Sequence, residues 1–167
     1  MLPPKLIVSP IDFSGYSQEA LETAADLAKQ FGSELLLIHA VPAIPRLPSA
    51  TEIFQEAEYE AVLHKDAEER LQKSVKELAQ KGLRARAEVG VANDVGMEIL
   101  RIAEHNGADL IVIATHGTTG WHRLVFGSVT EKVVRLASCP VLVLRAHPQA
   151  GEETSGKTSH SVAAQAR

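Results

Sequence analysis

This chain of 167 residues predicts an α/β protein, a parallel sheet covered by helices on both sides. Three observations carry that reading. The runs KLIVSPID (5–12), ELLLIHAV (34–41), DLIVIAT (109–115) and PVLVLR (140–145) are short, rich in branched side chains and mostly not alternating, as strands buried on both faces are. Segments with helical spacing lie between them. Strand, helix, strand repeated along a chain gives right-handed crossovers, and hence parallel strands with helices on each face.

The elements follow in order. After the first strand, Leu21, Ala24, Ala28 and Phe31 form one apolar stripe, with Ser14 or Ser17 to cap its start and Gly32 just past its end. The second strand leads into PAIPRLPSAT (42–51), whose three prolines read as a connection. A long charged helix over 52–81 places Ala67, Leu71, Val75 and Leu78 on a common face and stops at Gly82. The next strand, RARAEVGV (84–91), does alternate, and a strand that is half polar belongs near a sheet edge. A third helix over 93–106 uses Val95, Ile99, Ile102 and Ala103, followed by Gly107. The fourth opens at Ser128, where Ser-Val-Thr-Glu matches a capping box answered by Glu131. The last strand has no polar defence except Arg145, and an uncovered apolar edge is an aggregation hazard. A second copy pairing through Val141, Leu142, Val143 and Leu144 is therefore expected. The domain is expected to span 1–146. The segment 147–167 has few apolar side chains to bury and reads as a disordered tail.

Composition removes several classes of function. The length suits one domain, and 45% apolar with 23% charged residues is ordinary for a globular chain. No apolar run is long enough to span a bilayer, and the N-terminus shows no signal peptide, so a cytoplasmic protein is the expectation. A net charge of −4 without basic clusters disfavours nucleic acid as a partner. Cys139 is the only cysteine and reads as a small buried hydrophobe. The histidines show no ligand spacing on a shared helix face, so no resident metal site is expected.

Parallel sheets bind ligands at the carboxyl ends of their strands, where the order of connection reverses. The first strand ends in Pro10-Ile11-Asp12, the second in His39-Ala40-Val41, and the fourth opens into ATHGTTGWHRLVFGSV (114–129). Gly117 and Gly120 let backbone approach a ligand, or only make turns. Gly127 and Ser128 stand at a helix start, whose free amides are a ready anion site. Thr115 and Ser128 hydroxyls add donors, and His116 lies within the same loop. Asp12 suits ribose hydroxyls, or else anchors the loop before the first helix. Together these residues imply a nucleotide. There is no GxGxxG after the first strand, no GxxxxGK[ST] and no nucleophile elbow, and the loop has no lysine for terminal phosphates. Fast hydrolysis is not expected.

The ordered set KLIVSPIDFSGYSQEAL, ELLLIHAV, GVANDVGMEILRIAEHNGADLIVIATHG and LVFGSVTEKVVRLASCPVLVL resembles the universal stress protein family over roughly 5–145. The resemblance implies a three-layer α-β-α sandwich, five parallel strands in the order 3-2-1-4-5, of the adenine nucleotide alpha hydrolase-like type. It implies ATP, or ADP or AMP, at the crossover, and pairing of subunits through the fifth strand. The family's phosphate loop runs Gly, two residues, Gly, nine residues, Gly, then Ser or Thr. Here Gly117 is the second glycine, Thr118 to Phe126 are the nine residues, Gly127-Ser128 close the pattern, and Ala114 replaces the first glycine. By similarity Pro10, Ile11 and Asp12 lie along the adenosine side and Val41 lines the base. Amides of Gly117, Gly127, Ser128 and Val129 hold phosphates, with Mg2+ or Mn2+ bridging these through mostly water ligands.

The expectation is a homodimeric, ATP-binding sensor or regulator of the stress response with at most slow ATP hydrolysis. A nucleotide-free dimeric interaction module is the alternative, with Ala114 as its best argument. A hydrolase or phosphotransferase using Asp12 or His116 is the third reading.

Overall fold

The computed structural model describes residues 3–43, 50–115 and 127–145. Its elements are β1 (Leu6–Pro10), α1 (Gly15–Phe31), β2 (Glu34–Pro42), α2 (Ala50–Gln80), β3 (Arg84–Ala92), α3 (Val95–His105), β4 (Leu110–Ala114), α4 (Ser128–Leu136) and β5 (Val141–Leu144). The five strands form one parallel sheet in the order β3-β2-β1-β4-β5. The strand order and the three layers are those that the resemblance implied.

Alternation along each strand sorts its side chains between two cores. Leu6, Val8, Leu36, Ile38, Ile111 and Ile113 meet Ile99, Ile102 and Ala103 of α3 and Val133 of α4 on one face. Ile7, Ile11, Leu35, Leu37 and Val112 meet Leu21, Ala24 and Ala28 of α1 and Leu71 and Leu78 of α2 on the other. The half-polar β3 is an edge, as its alternation predicts, with partly exposed positions along most of its length. The opposite edge is β5, where Leu142 is 36% exposed. At the amino ends of the strands the Asp109 carboxylate accepts from the amides of Lys5 and Leu6 at 2.8 and 2.9 Å, tying β1 to β4.

Several local expectations hold. The Ser14 side chain caps α1 by accepting from the Ser17 amide, and Gly32 ends that helix at φ 69. A left-handed C-cap of this kind favours glycine because it has no Cβ to clash. Others need correction. Phe31 is 43% exposed, and the buried stripe of α1 is Ser17, Ala20, Leu21, Ala24 and Ala28. Phe31 is the final helical residue and joins neither of the two cores. Pro42 closes β2 and Ala50 opens α2, so the connection is shorter than its prolines imply. The capping box does not form: Gly127 is the N-cap of α4, no side chain among the described residues caps it, and Ser128 is the first helical residue. Cys139 is half-buried and packs against the α3–α4 core, and burial pushes its thiol up. The expected tail lies outside the described residues.

Ser9 on β1 is fully buried, and its hydroxyl has no hydrogen-bond partner among the described residues. It falls between Ile7 and Ile11 on the apolar α1–α2 side of the strand.

Candidate functional site

β1 lies at the centre of the sheet, with β2 on one side and β4 on the other. The chain leaves β1 in one direction and returns on its opposite flank, which parts the loops at the carboxyl ends and leaves a crevice there. A cavity of about 410 Å³ occupies that crevice, within the ordinary range for small-molecule sites.

Of the residues picked out from the sequence, Pro10, Ile11 and Asp12 from the end of β1, Ala114 from β4, and Gly127, Ser128 and Val129 from the start of α4 line this one cavity. Thr115 adjoins it, and its carbonyl oxygen accepts from the Gly127 amide at 2.9 Å. That bond brings the two flanks of the glycine-rich segment together. His116, Gly117 and Gly120 lie outside the described residues. Val41 is buried and does not line the cavity; Ile38, Ala40 and Pro42 of the same strand do. Strand alternation alone does not sort these residues, because His39, of the same parity on β2 as Val41, does line the cavity.

Further lining residues are Ser17, His39, Val95, Ile99, Ile113 and Thr130. Val95, Ile99 and Ile113 were legible as apolar periodic positions, but nothing local marks them as cavity walls. Thr130 is a tether. It is 4% exposed, and its hydroxyl donates to the Ala114 carbonyl at 2.8 Å. This bond fixes the first turn of α4 against the end of β4.

The start of α4 differs from the other described N-caps. Ser14 caps α1 and Asp94 caps α3 with side-chain oxygens, whereas α4 has no side-chain cap among the described residues. Gly127 there sits at φ −60 and ψ 151, a conformation any residue adopts. Backbone geometry therefore does not demand glycine at this position. What glycine supplies is a bare stretch of wall beside the first-turn amides of α4.

Asp12 serves the turn it stands in. Its Oδ1 accepts from the Ser14 amide at 3.0 Å and from the Ser14 hydroxyl at 2.5 Å, while the Asp12 amide donates to Ser17 Oγ at 3.4 Å. The anchoring role considered from the sequence is thus present in the fold. Next to it, Phe13 has φ 62, the only positive value at a non-glycine residue among those described. Left-handed backbone costs an L-residue about 1–2 kcal/mol, so surrounding contacts must hold it. The Phe13 ring lies 4.6 Å from that of His39, tilted by 36°, and the Arg70 guanidinium carbon is 3.8 Å from its centroid. His39 Nδ1 donates to the Ile11 carbonyl at 2.6 Å, and because a carbonyl only accepts, that nitrogen carries the proton.

Near the opposite wall, Lys132 pairs with Asp94, the N-cap of α3. The Lys132 hydrogen bond and the Met97 amide hold the Asp94 carboxyl below its ordinary range. Lys132 is one turn beyond Ser128, and sequence reading missed it because its partner is 38 residues away. Among the described residues no group of three or more His, Cys, Asp or Glu is placed to hold a metal ion, and no helix is long and apolar enough to cross a membrane.

Strand order and a crevice at its switch point define the class of protein, a doubly wound α/β sandwich of the adenine nucleotide alpha hydrolase-like type. Comparison with known proteins narrows this. The model of the universal stress protein family matches residues 4–145, and the chain belongs to that family. A universal stress protein of Methanocaldococcus jannaschii is 38% identical over 143 residues, covering 84% of this chain and 82% of that one. The YxiE universal stress protein of Bacillus subtilis is 32% identical over 147 residues, covering 84% and 98%. Among solved structures, UspA of Lactobacillus plantarum superposes with a TM-score of 0.70 at 28% identity, covering 84% of this chain and 97% of that one.

Proposed function

We propose that this chain binds an adenine nucleotide, ATP in the first instance, in the crevice between β1 and β4, and acts as a regulator in a stress response. The observation that carries the reading is the start of α4. Among the described residues no side chain caps its first-turn amides, which border the cavity beside Gly127, whose backbone conformation does not itself require glycine. Uncapped helix amides with the positive end of the helix dipole favour a phosphate. The apolar walls from Pro10, Ile11, Ala40 and Pro42 suit a flat base. In this reading Asp12 faces the ribose while it holds its turn, and His116, Gly117 and Gly120 complete the phosphate side. Universal stress protein folds have been solved with dAMP and with cAMP, at 23% and 20% identity to this chain. Those two likenesses carry the fold, and the ligand reading rests on this chain's own crevice.

Hydrolysis is slow at most in this reading. Asp12 is the one carboxylate on the cavity wall among the described residues, and it is bonded to Ser14. Lys132, the cation one turn into α4, is committed to Asp94. A base and a cationic clamp are what phosphoryl transfer to water needs. A bridging Mg2+ or Mn2+ would accordingly keep mostly water ligands. Two copies pair through β5 in this reading, since Leu142 on that edge and Val134 and Leu136 on α4 are exposed apolar side chains.

The test is calorimetric titration of nucleotide-stripped protein with ATP and magnesium. Micromolar or tighter binding is expected. Folded protein that takes up no ATP at millimolar concentration refutes the reading and leaves the nucleotide-free interaction module, with the Ala114 methyl on the cavity wall as the first suspect.

A further inference from the structure

Phe13, His39 and Arg70 form a stack of which only His39 lines the cavity, and nucleotide binding as described above assigns it no role. It joins three separate parts of the fold. Phe13 belongs to the turn between β1 and α1, His39 to β2, and Arg70 to the middle of α2. The His39 ring touches Phe13 on one side and holds the Ile11 carbonyl through Nδ1. Arg70 covers the Phe13 ring with its guanidinium and also stands 3.7 Å from the Asp66 carboxylate one turn back along α2. Ile11, Asp12 and His39 are themselves cavity wall. The residue at the centre of the stack is the one whose backbone is strained. A strained turn keeps its shape only while its neighbours over-determine it. Loosening the stack therefore bears first on the turn from Ile11 to Ser14 and on the cavity wall that turn forms.

We propose that Arg70 is a positioning residue for the crevice: through Phe13 and His39 it holds the turn at Ile11 to Ser14, so that α2 sets how tightly the cavity takes its ligand. The ligand part of this rests on the adenine-nucleotide reading. A cation over an aromatic face is a directional contact, and a wall organised before the ligand arrives need not be ordered by it. Arg70 acts at a distance, since it does not line the cavity.

The experiment compares wild type with Arg70→Gln, Arg70→Lys and, as a charge control on an exposed position of the same helix, Lys73→Gln. Amide hydrogen exchange is followed by NMR at Asp12 and Ser14, whose N–H groups are bonded within the turn, and at core strand residues such as Val112. ATP–magnesium affinity is measured on the same samples. Arg70→Gln is expected to speed exchange at Asp12 and Ser14 and to weaken ATP about fivefold, the scale of one partly desolvated cation–π contact. Exchange at Val112 stays unchanged, Lys73→Gln behaves as wild type, and Arg70→Lys recovers most of the loss by keeping a cation over the ring. Phe13→Gly removes the strain and the ring together, and its affinity is expected to fall although its backbone is relieved. Turn exchange in Arg70→Gln that matches Lys73→Gln overturns the proposal. So does faster exchange with unaltered affinity, or full affinity in Phe13→Gly. If the wild-type chain takes no nucleotide, the reading of the crevice falls and the exchange measurements alone decide whether Arg70 holds the turn.

Discussion

Replacing Gly127 by alanine separates the cradle from the fold. Glycine at φ −60 and ψ 151 uses none of its special freedom, and among the described residues a Cβ there meets only the Thr115 carbonyl oxygen, at 3.4 Å. That is an ordinary contact. Alanine narrows the unfolded ensemble and so stabilises by about 0.4–1 kcal/mol. It is also a poorer N-cap than glycine, by a cost of about 1 kcal/mol or less. The two nearly cancel, and thermal denaturation followed by circular dichroism should move by no more than about 4 °C. Binding should respond far more. A methyl group beside the first-turn amides keeps a phosphate oxygen from closing on at least one of them. A hydrogen bond to a charged group contributes about 1.5–3 kcal/mol, so ATP affinity by calorimetry should fall between about tenfold and a hundredfold. Gly127→Val, with a branched side chain, should weaken it further. Affinity within twofold of wild type in folded Gly127→Ala protein would refute the phosphate cradle, and a large loss of stability would refute the conformational argument.

Ser9→Ala removes a buried hydroxyl with no partner among the described residues. Its desolvation is uncompensated, so the variant should gain about 1 kcal/mol in urea unfolding; a loss of that size would mean that the hydroxyl is satisfied in solution. Acid should weaken the fold in a defined window. Hydrogen bonds from Leu6 and Lys5 hold Asp109 below its ordinary value of 3.8, Lys132 does the same for Asp94, and Arg101 holds Glu98 below 4.5. Because these folded-state values are depressed, the stability they contribute is fully present above the unfolded values and is lost as pH falls through the folded ones. Urea midpoints should be flat from neutral pH to about 5 and drop below that, with a shallower drop in Asp109→Asn; identical slopes would exclude Asp109. Leu142→Glu places a charge on the exposed edge strand and should shift sedimentation toward monomer, by about tenfold or more in the dimer constant. An unchanged dimer would put the interface elsewhere.

Local pattern alone determined the class and most of the elements of this protein. Branched runs such as LIV and LLLI have the period and composition of strands covered on both faces, and the half-polar RARAEVGV announced an edge. Ser14 and Gly32 were legible because capping is a short-range matter of one side chain and a few backbone groups. The same reasoning failed at Ser128. Ser-Val-Thr-Glu has the spacing of a capping box, but the Gly127 amide is drawn to Thr115 and the Thr130 hydroxyl to Ala114, which starts the helix one residue earlier than a Ser128 cap requires.

Only the tertiary structure decided what the crevice is walled with. His39, Ala40 and Pro42 of β2 line it and Val41 does not, and the residues at this strand end do not reveal that by themselves. Lys132 finds Asp94 across 38 residues, and Arg70 reaches a phenylalanine at position 13. Neither spacing has a local signature, because nothing in a chain's period encodes contacts between separate helices and turns. The strain at Phe13 belongs to the same class of fact. A left-handed phenylalanine has no sequence signal and persists because β2 and α2 close around it.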